Sequence, residues 1–161
     1  MIKKIGLFFL CFPLVMFVIE TLFFIIGWHV NCFAFIFAFI LVIGYILRNT
    51  SKKIRLKSIC WFVGITLASI FIGANVYDAS YDGQWYHSSI IKLMNDGWNP
   101  FYHPILQQDE VPYYTNTHIW VSHYAKGMET IEAGIVALTG NLESGKTLNI
   151  FLAISCLLYT S

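Results

Sequence analysis

The 161-residue chain is 57% hydrophobic and only 12% charged, against about 25% charged in an ordinary soluble domain, and its net charge is +1. That balance gives no footing for a nucleic-acid-binding surface and points to lipid as the solvent of much of the chain. Aromatic residues reach 17%, a level that suits membrane-interface belts and surfaces on which sugar rings stack.

Residues 5–27 form an apolar run, interrupted by Pro13 and Glu20, that is long enough to cross a bilayer core of about 30 Å as a helix. It exceeds the apolar core of a secretory signal and no small-residue cleavage site follows, so an uncleaved anchor is expected. Glu20 inside it is costly unless it faces other helices, water or the outer interface. Residues 32–47 are expected to form a second span and residues 58–76 a third. Between these two lie Arg48, Lys52, Lys53, Arg55 and Lys57, with no acid from 48 to 57. Together with Lys3 and Lys4, this cationic loop belongs in the cytoplasm by the positive-inside rule. The N-terminus is then cytoplasmic, and the third span exits outward. The expected fold is an all-α integral membrane protein of the plasma (inner) membrane. It has multi-pass transmembrane helices and a large first extracytoplasmic loop containing an amphipathic interfacial helix. Cys11, Cys32, Cys60 and Cys156 show no CxxC spacing and read as small apolar residues of helices.

Residues 77–126 differ in kind. They hold His87, His103, His118 and His123, three of the four prolines and many Tyr and Trp, and they are too long for a passive link between helices. Within them, Tyr86, Ile90, Leu93 and Met94 fall near helical spacing, widened by Trp85 and Ile91, which predicts an amphipathic helix over about 84–96 lying on the membrane surface. Gly97 and Asn99-Pro100 end it, and Pro104 and Pro112 keep the rest of the loop irregular. The histidines have no zinc spacing and read as hydrogen-bonding loop residues. Residues 127–155 are expected to hold a fourth span crossing inward, a short cytoplasmic turn at 140–145 and the start of a fifth span. That turn matches G-x-x-x-x-G-K-T letter for letter from Gly140 to Thr147, the phosphate-cradling pattern of nucleotide-binding loops. A helix–turn–helix with glycine caps is the competing reading. The final stretch, 156–161, resembles one reading frame of a sequencing-library adapter, so the gene is expected to have been cut near Ser155.

The sharpest chemistry lies from Tyr77 to His87. Asp78 and Asp82 come directly after the exit of the third span. Asp82 can be an ordinary helix N-cap, or a carboxylate at the mouth of a cavity, acting as general base on a hydroxyl or helping to hold a metal ion. Asp82-x-x-x-Tyr86-His87, followed by Ile90, Leu93, Gly97 and Asn99-Pro100, resembles the first extracytoplasmic loop of the GT-C superfamily of membrane glycosyltransferases. Gly83 stands where that family often carries a second acid. Lys126-Gly127 stands where Lys-Pro is usual, and Gly140 and Asn149 fall where a span-ending glycine and a polar helix residue are found. The resemblance implies transfer of a sugar from a polyprenyl-phosphate carrier to a glycan, lipid or protein acceptor outside the membrane. It implies Asp82 and Asp78 as catalytic carboxylates and Tyr86, His87, Trp98, Tyr102 and Lys126 as substrate-binding residues, with a divalent metal compatible and none certain. The aromatics Phe101, Tyr113, Tyr114, Trp120 and Tyr124 suit sugar stacking or interface anchoring equally. Two other expectations stand beside it: a non-enzymatic membrane protein of envelope polysaccharide export, and a P-loop NTPase.

Overall fold

The computed structural model describes residues 2–111 and 116–160, and every element among them is helical. Pro112, Tyr113, Tyr114 and Ser161 lie outside the described residues. The three apolar runs become α1 (Ile2–Ile25), α2 (Phe33–Asn49) and α3 (Lys52–Asn75). Lys3–Ile25 and Lys52–Asn75 are long and apolar enough to cross a membrane, while α2 is a shorter apolar helix of 17 residues. Helix α1 runs unbroken through Pro13. Asn31 starts α2 by accepting the amide of Phe33 at 3.0 Å, which satisfies one of the free N–H groups of its first turn. The cations at 52–57, expected as loop, form the first turns of α3 instead.

These helices pack with α7 (Thr147–Thr160) around a phenylalanine core of Phe8, Phe9, Phe12, Phe35, Phe62 and Phe151. Phe12 and Phe35 meet edge to face at 5.0 Å, a pairing that contributes about 0.5–1.5 kcal/mol beyond area burial. Helix α7 runs antiparallel to α1. Ser155 Oγ donates to the Gly6 carbonyl at 2.9 Å near one end, and Thr147 lies against Ser69 and Gly73 of α3 at the other. Lys4 reaches the Asn49 carbonyl, so the bundle has one basic end, with the 48–57 segment, and an opposite end where α3 finishes.

The next element departs from expectation. Helix α6 (Gly127–Thr139) has 13 residues, about 20 Å of helix against a 30 Å hydrocarbon core. It crosses α1 beside the fully buried Glu20, which packs against Gly134. It does not reach the basic end. Gly140, at φ +68°, closes it in the left-handed conformation that favours glycine. A 3-10 turn (Leu142–Lys146) then docks on the end of α3, where Asn141 Nδ2 donates to the Ala74 carbonyl at 3.1 Å. The turn expected in the cytoplasm therefore sits at the same end as Asp78, opposite the basic segment. After it, α7 runs back along α1 toward the basic end.

The segment between α3 and α6 builds a second core. A π-helical turn (Gly83–His87) runs into α4 (Ser88–Asn95), whose Ile90, Ile91 and Met94 pack with Ala133 and Val136 of α6 and with Trp98, Leu106 and Val121 of the loop and of α5 (Thr117–His123). The apolar face expected to lie on a membrane surface is covered by protein. The helix itself ends as expected, with Gly97 at φ +106°.

Candidate functional site

Where α3 ends, the chain makes a tight knot. Asp78 Oδ1 accepts the amide of Ser80 at 2.9 Å, and Ser80 Oγ accepts the amide of Gly83 at 3.1 Å. Ser80 is thus the N-cap of the helix that starts at Tyr81, and Asp82 is not a cap: it has helical backbone angles and no capping hydrogen bond. The Asp78 amide donates to Glu143 Oε2 at 3.1 Å, and its carbonyl accepts from Gln84 Nε2 at 2.7 Å. The Ser80 amide and hydroxyl hold the Asp78 carboxyl below its usual range, helped by Lys146 and His87. Gly83 is required here: a Cβ at that position would lie 2.1 Å from Asp78 Oδ2 and 2.4 Å from Ser80 Oγ. An acid at 83, frequent in the resembling family, has no room.

Asp78, Asp82 and His87 line one cleft of about 420 Å³, together with Glu132, Glu143 and Lys146. Lys146 is held by Glu143 and by the Val76 carbonyl. Burial, then Glu129 and Asp78, push the Glu132 carboxyl up to about 8. The π turn decides which side chains face this space. Its Ser88 amide donates to the Gly83 carbonyl, a bond spanning five residues rather than four. Residues five apart then share a face, so Asp82 and His87 both line the cleft. Tyr86, one α-turn beyond Asp82 and expected beside it, is turned into the second core against Trp120 and Tyr124. Its phenol is pushed up to about 12, chiefly by its hydrogen bond with Tyr124.

The remaining expected substrate-binding residues lie elsewhere. Trp98 is buried, its indole N–H donating to the His103 carbonyl at 2.8 Å, so its faces are not open to a sugar. Tyr102 is exposed but anchors its hydroxyl on the Ile25 carbonyl at 2.7 Å, at the end of α1. Lys126 donates to the Ser122 and Tyr124 carbonyls at 2.9 Å each, closing the end of α5; burial pushes its ammonium down while Glu129 pulls the other way. It flanks a separate groove with Phe17, Phe24 and Phe101. His103, His118 and His123 bond to Glu110, Gln108 and the Ile119 carbonyl, away from the cleft.

Glu132, Glu143 and Lys146 were not expected at the site. Glu129 and Glu132 share a helical face in the sequence, a signal of something polar beside α6. Glu143 and Lys146 were hidden by the phosphate-loop pattern and by the inward crossing assigned to 127–139. That pattern lacks its setting: helix α6, not a strand, precedes Gly140, and the Lys146 ammonium is occupied by Glu143 and Val76. Among the described residues, no three His, Cys, Asp or Glu side chains are grouped to hold a metal ion. In comparisons with protein-family models, curated proteins and solved structures, the chain matches none.

Proposed function

We propose that the protein is an integral membrane glycosyltransferase that moves a sugar from a polyprenyl-phosphate carrier to an envelope glycan, lipid or protein on the extracytoplasmic side. Helices α1 and α3, with the shorter apolar α2, are its spans, α7 packs back against α1 and α3, and the N-terminus and the 48–57 segment lie in the cytoplasm. A continuous apolar surface supports lipid contact: Leu10, Leu14, Val18 and Leu22 stand exposed at four-residue intervals along α1, and Leu67, Phe71 and Ile72 along α3. The cleft opens at the end away from the cations, on the outer side under the positive-inside rule.

The observation that carries the reading is Asp82, a carboxylate without a capping role, just before the π turn and lining a cleft at the end of the bundle away from the cations. Asp82 takes the proton of the acceptor hydroxyl as that oxygen bonds to the sugar C1. The bond from C1 to the carrier phosphate breaks, and its electron pair leaves with the phosphate. Asp78 supports it by fixing the start of the helix.

The test uses the complete reading frame at the locus, reconstituted in lipid vesicles with polyprenyl-phosphate-linked sugars. Asp82→Asn is expected to express normally and to lose about 10²–10⁴-fold in rate, with Asp78→Asn milder. A near wild-type rate for Asp82→Asn removes Asp82 from the chemistry. Absence of transfer by the wild-type protein from such donors refutes the function itself.

A further inference from the structure

His87 has a partner that the reaction above leaves unused. Its Nδ1 lies 2.5 Å from Glu129 Oε1; the Glu129 side chain is 2% exposed, whereas His87 is 36% exposed and lines the cleft. Among the described residues this is the one side-chain hydrogen bond of Glu129, and its buried Oε2 has none. A carboxylate so placed is costly unless its charge is matched by the group it touches. With Nδ1 committed, Nε2 is the ring position left to the cleft. The ring lies against Tyr86, at 4.2 Å, with Tyr124 edge-on at 6.1 Å, so the bond to Glu129 and one aromatic flank together fix its orientation. The π turn puts this fixed imidazole on the same face as Asp82.

We propose that His87 and Glu129 are a proton-relay dyad that serves Asp82, a proposal that rests on the glycosyl-transfer reading. After the acceptor oxygen has bonded to C1 and the carrier phosphate has left with its electron pair, Asp82 holds the acceptor's proton. Asp82 passes that proton, directly or through one water, to Nε2 of His87 and becomes a carboxylate again. Glu129 is the positioning residue: it holds the ring by Nδ1–H and stabilises the imidazolium that forms. The imidazolium gives the proton to water before the next acceptor binds. Orientation of an imidazole by a buried carboxylate is a general device of acid–base sites.

Two measurements test it. In the reconstituted complete protein, His87→Ala is expected to lower kcat about 10²-fold or more with KM within about twofold, and added imidazole is expected to restore part of the rate. Glu129→Gln, which keeps shape and packing, is expected to lower kcat about tenfold or more. The proposal stands only if His87→Ala is rescued by imidazole and Glu129→Gln is slowed; any other combination overturns it. The second measurement needs no sugar transfer. Carbethoxylation of His87 by diethyl pyrocarbonate, read by mass spectrometry, is expected to be faster in the wild type than in Glu129→Gln, because the carboxylate makes Nε2 more nucleophilic. Equal rates overturn the dyad. A slowed rate in the variant, with no transfer by the wild type, faults the glycosyltransferase reading alone.

Discussion

Gly83→Ala is a substitution whose sign the structure reverses. In an open helical position, replacing glycine by alanine stabilises by up to about 1 kcal/mol, because alanine gives up less backbone freedom on folding. At position 83 the new methyl group would lie 2.1 Å from Asp78 Oδ2 and 2.4 Å from Ser80 Oγ. The Asp78 carboxylate must retreat by about 1 Å merely to leave hard overlap. Two hydrogen bonds are put at risk: Ser80 N–H to Asp78 Oδ1 by the carboxylate's retreat, and Gly83 N–H to Ser80 Oγ by displacement of the hydroxyl. Each contributes about 1 kcal/mol, and strain in a filled site adds about 1–3 kcal/mol. Against the propensity gain, the net loss is about 2–4 kcal/mol, a fall of roughly 4–16 °C in melting temperature for a chain of this size. Gly44→Ala is the control, since a Cβ there meets nothing within 4 Å inside α2. Thermal unfolding of both variants in the same detergent at one scan rate gives the comparison. If Gly83→Ala melts at or above the wild type, as Gly44→Ala should, the packing of Asp78 over Gly83 is wrong.

One further outcome follows from the proposed topology and another from the fold. A cysteine at Asn141 should react with membrane-impermeant thiol reagents in intact cells from the same side as a cysteine at Pro104, with one at Lys53 protected; protection at 141 would restore the cytoplasmic turn. Glu132 carries a pH signature. Its carboxyl sits at about 8 in the fold against 4.5 for the ordinary group, so between these values the folded protein keeps a proton that the unfolded chain releases. That contribution is intact below about 4.5 and is lost as pH rises through 8. Glu132→Gln should flatten the fall in melting temperature over this window; an unchanged slope refutes the burial of Glu132.

Much of the helical framework was legible in the residues. Runs at 5–27, 32–47 and 58–76 became α1, α2 and α3 because long apolar stretches have few ways to satisfy their backbone other than a helix. The end of α4 at Gly97 was also readable, since a left-handed residue there needs glycine. What failed was assigning partners to apolar faces. Ile90, Ile91 and Met94 have the spacing of a surface-bound helix, and nothing in that spacing says whether lipid or α6 covers them. The same ambiguity made residues 127–139 look like a crossing. The difference lies in length and in the turn that follows: thirteen residues fall short of the hydrocarbon thickness, and Gly140 leads into a turn docked on the end of α3. The π turn had no sequence signal at all, and beside it His87 lines the cleft as expected while Tyr86 turns into the second core.

The returning turn is what makes the cleft a site rather than a gap. A carboxylate on the first turns of a helix is common, and Asp82 alone would be one more. Here three segments distant in sequence, 78–87, 129–132 and 143–149, are fastened to one another. The fastenings are the Asp78 amide on Glu143, Lys146 on the Val76 carbonyl, Asn141 on the Ala74 carbonyl and, for the middle segment, His87 on Glu129. The first three fix the end of α3 to the start of α7 through the Glu143, Lys146 and Asn141 side chains, and none of those three uses Asp82 or His87. Two lining groups are therefore free to be chemical: Asp82, which caps nothing, and an imidazole held from behind by a buried acid. Reactive groups on a frame that holds without them are what catalysis by preorganised charge requires. That separation is why Asp82→Asn and Glu129→Gln are expected to change rate, and Gly83→Ala to change stability first.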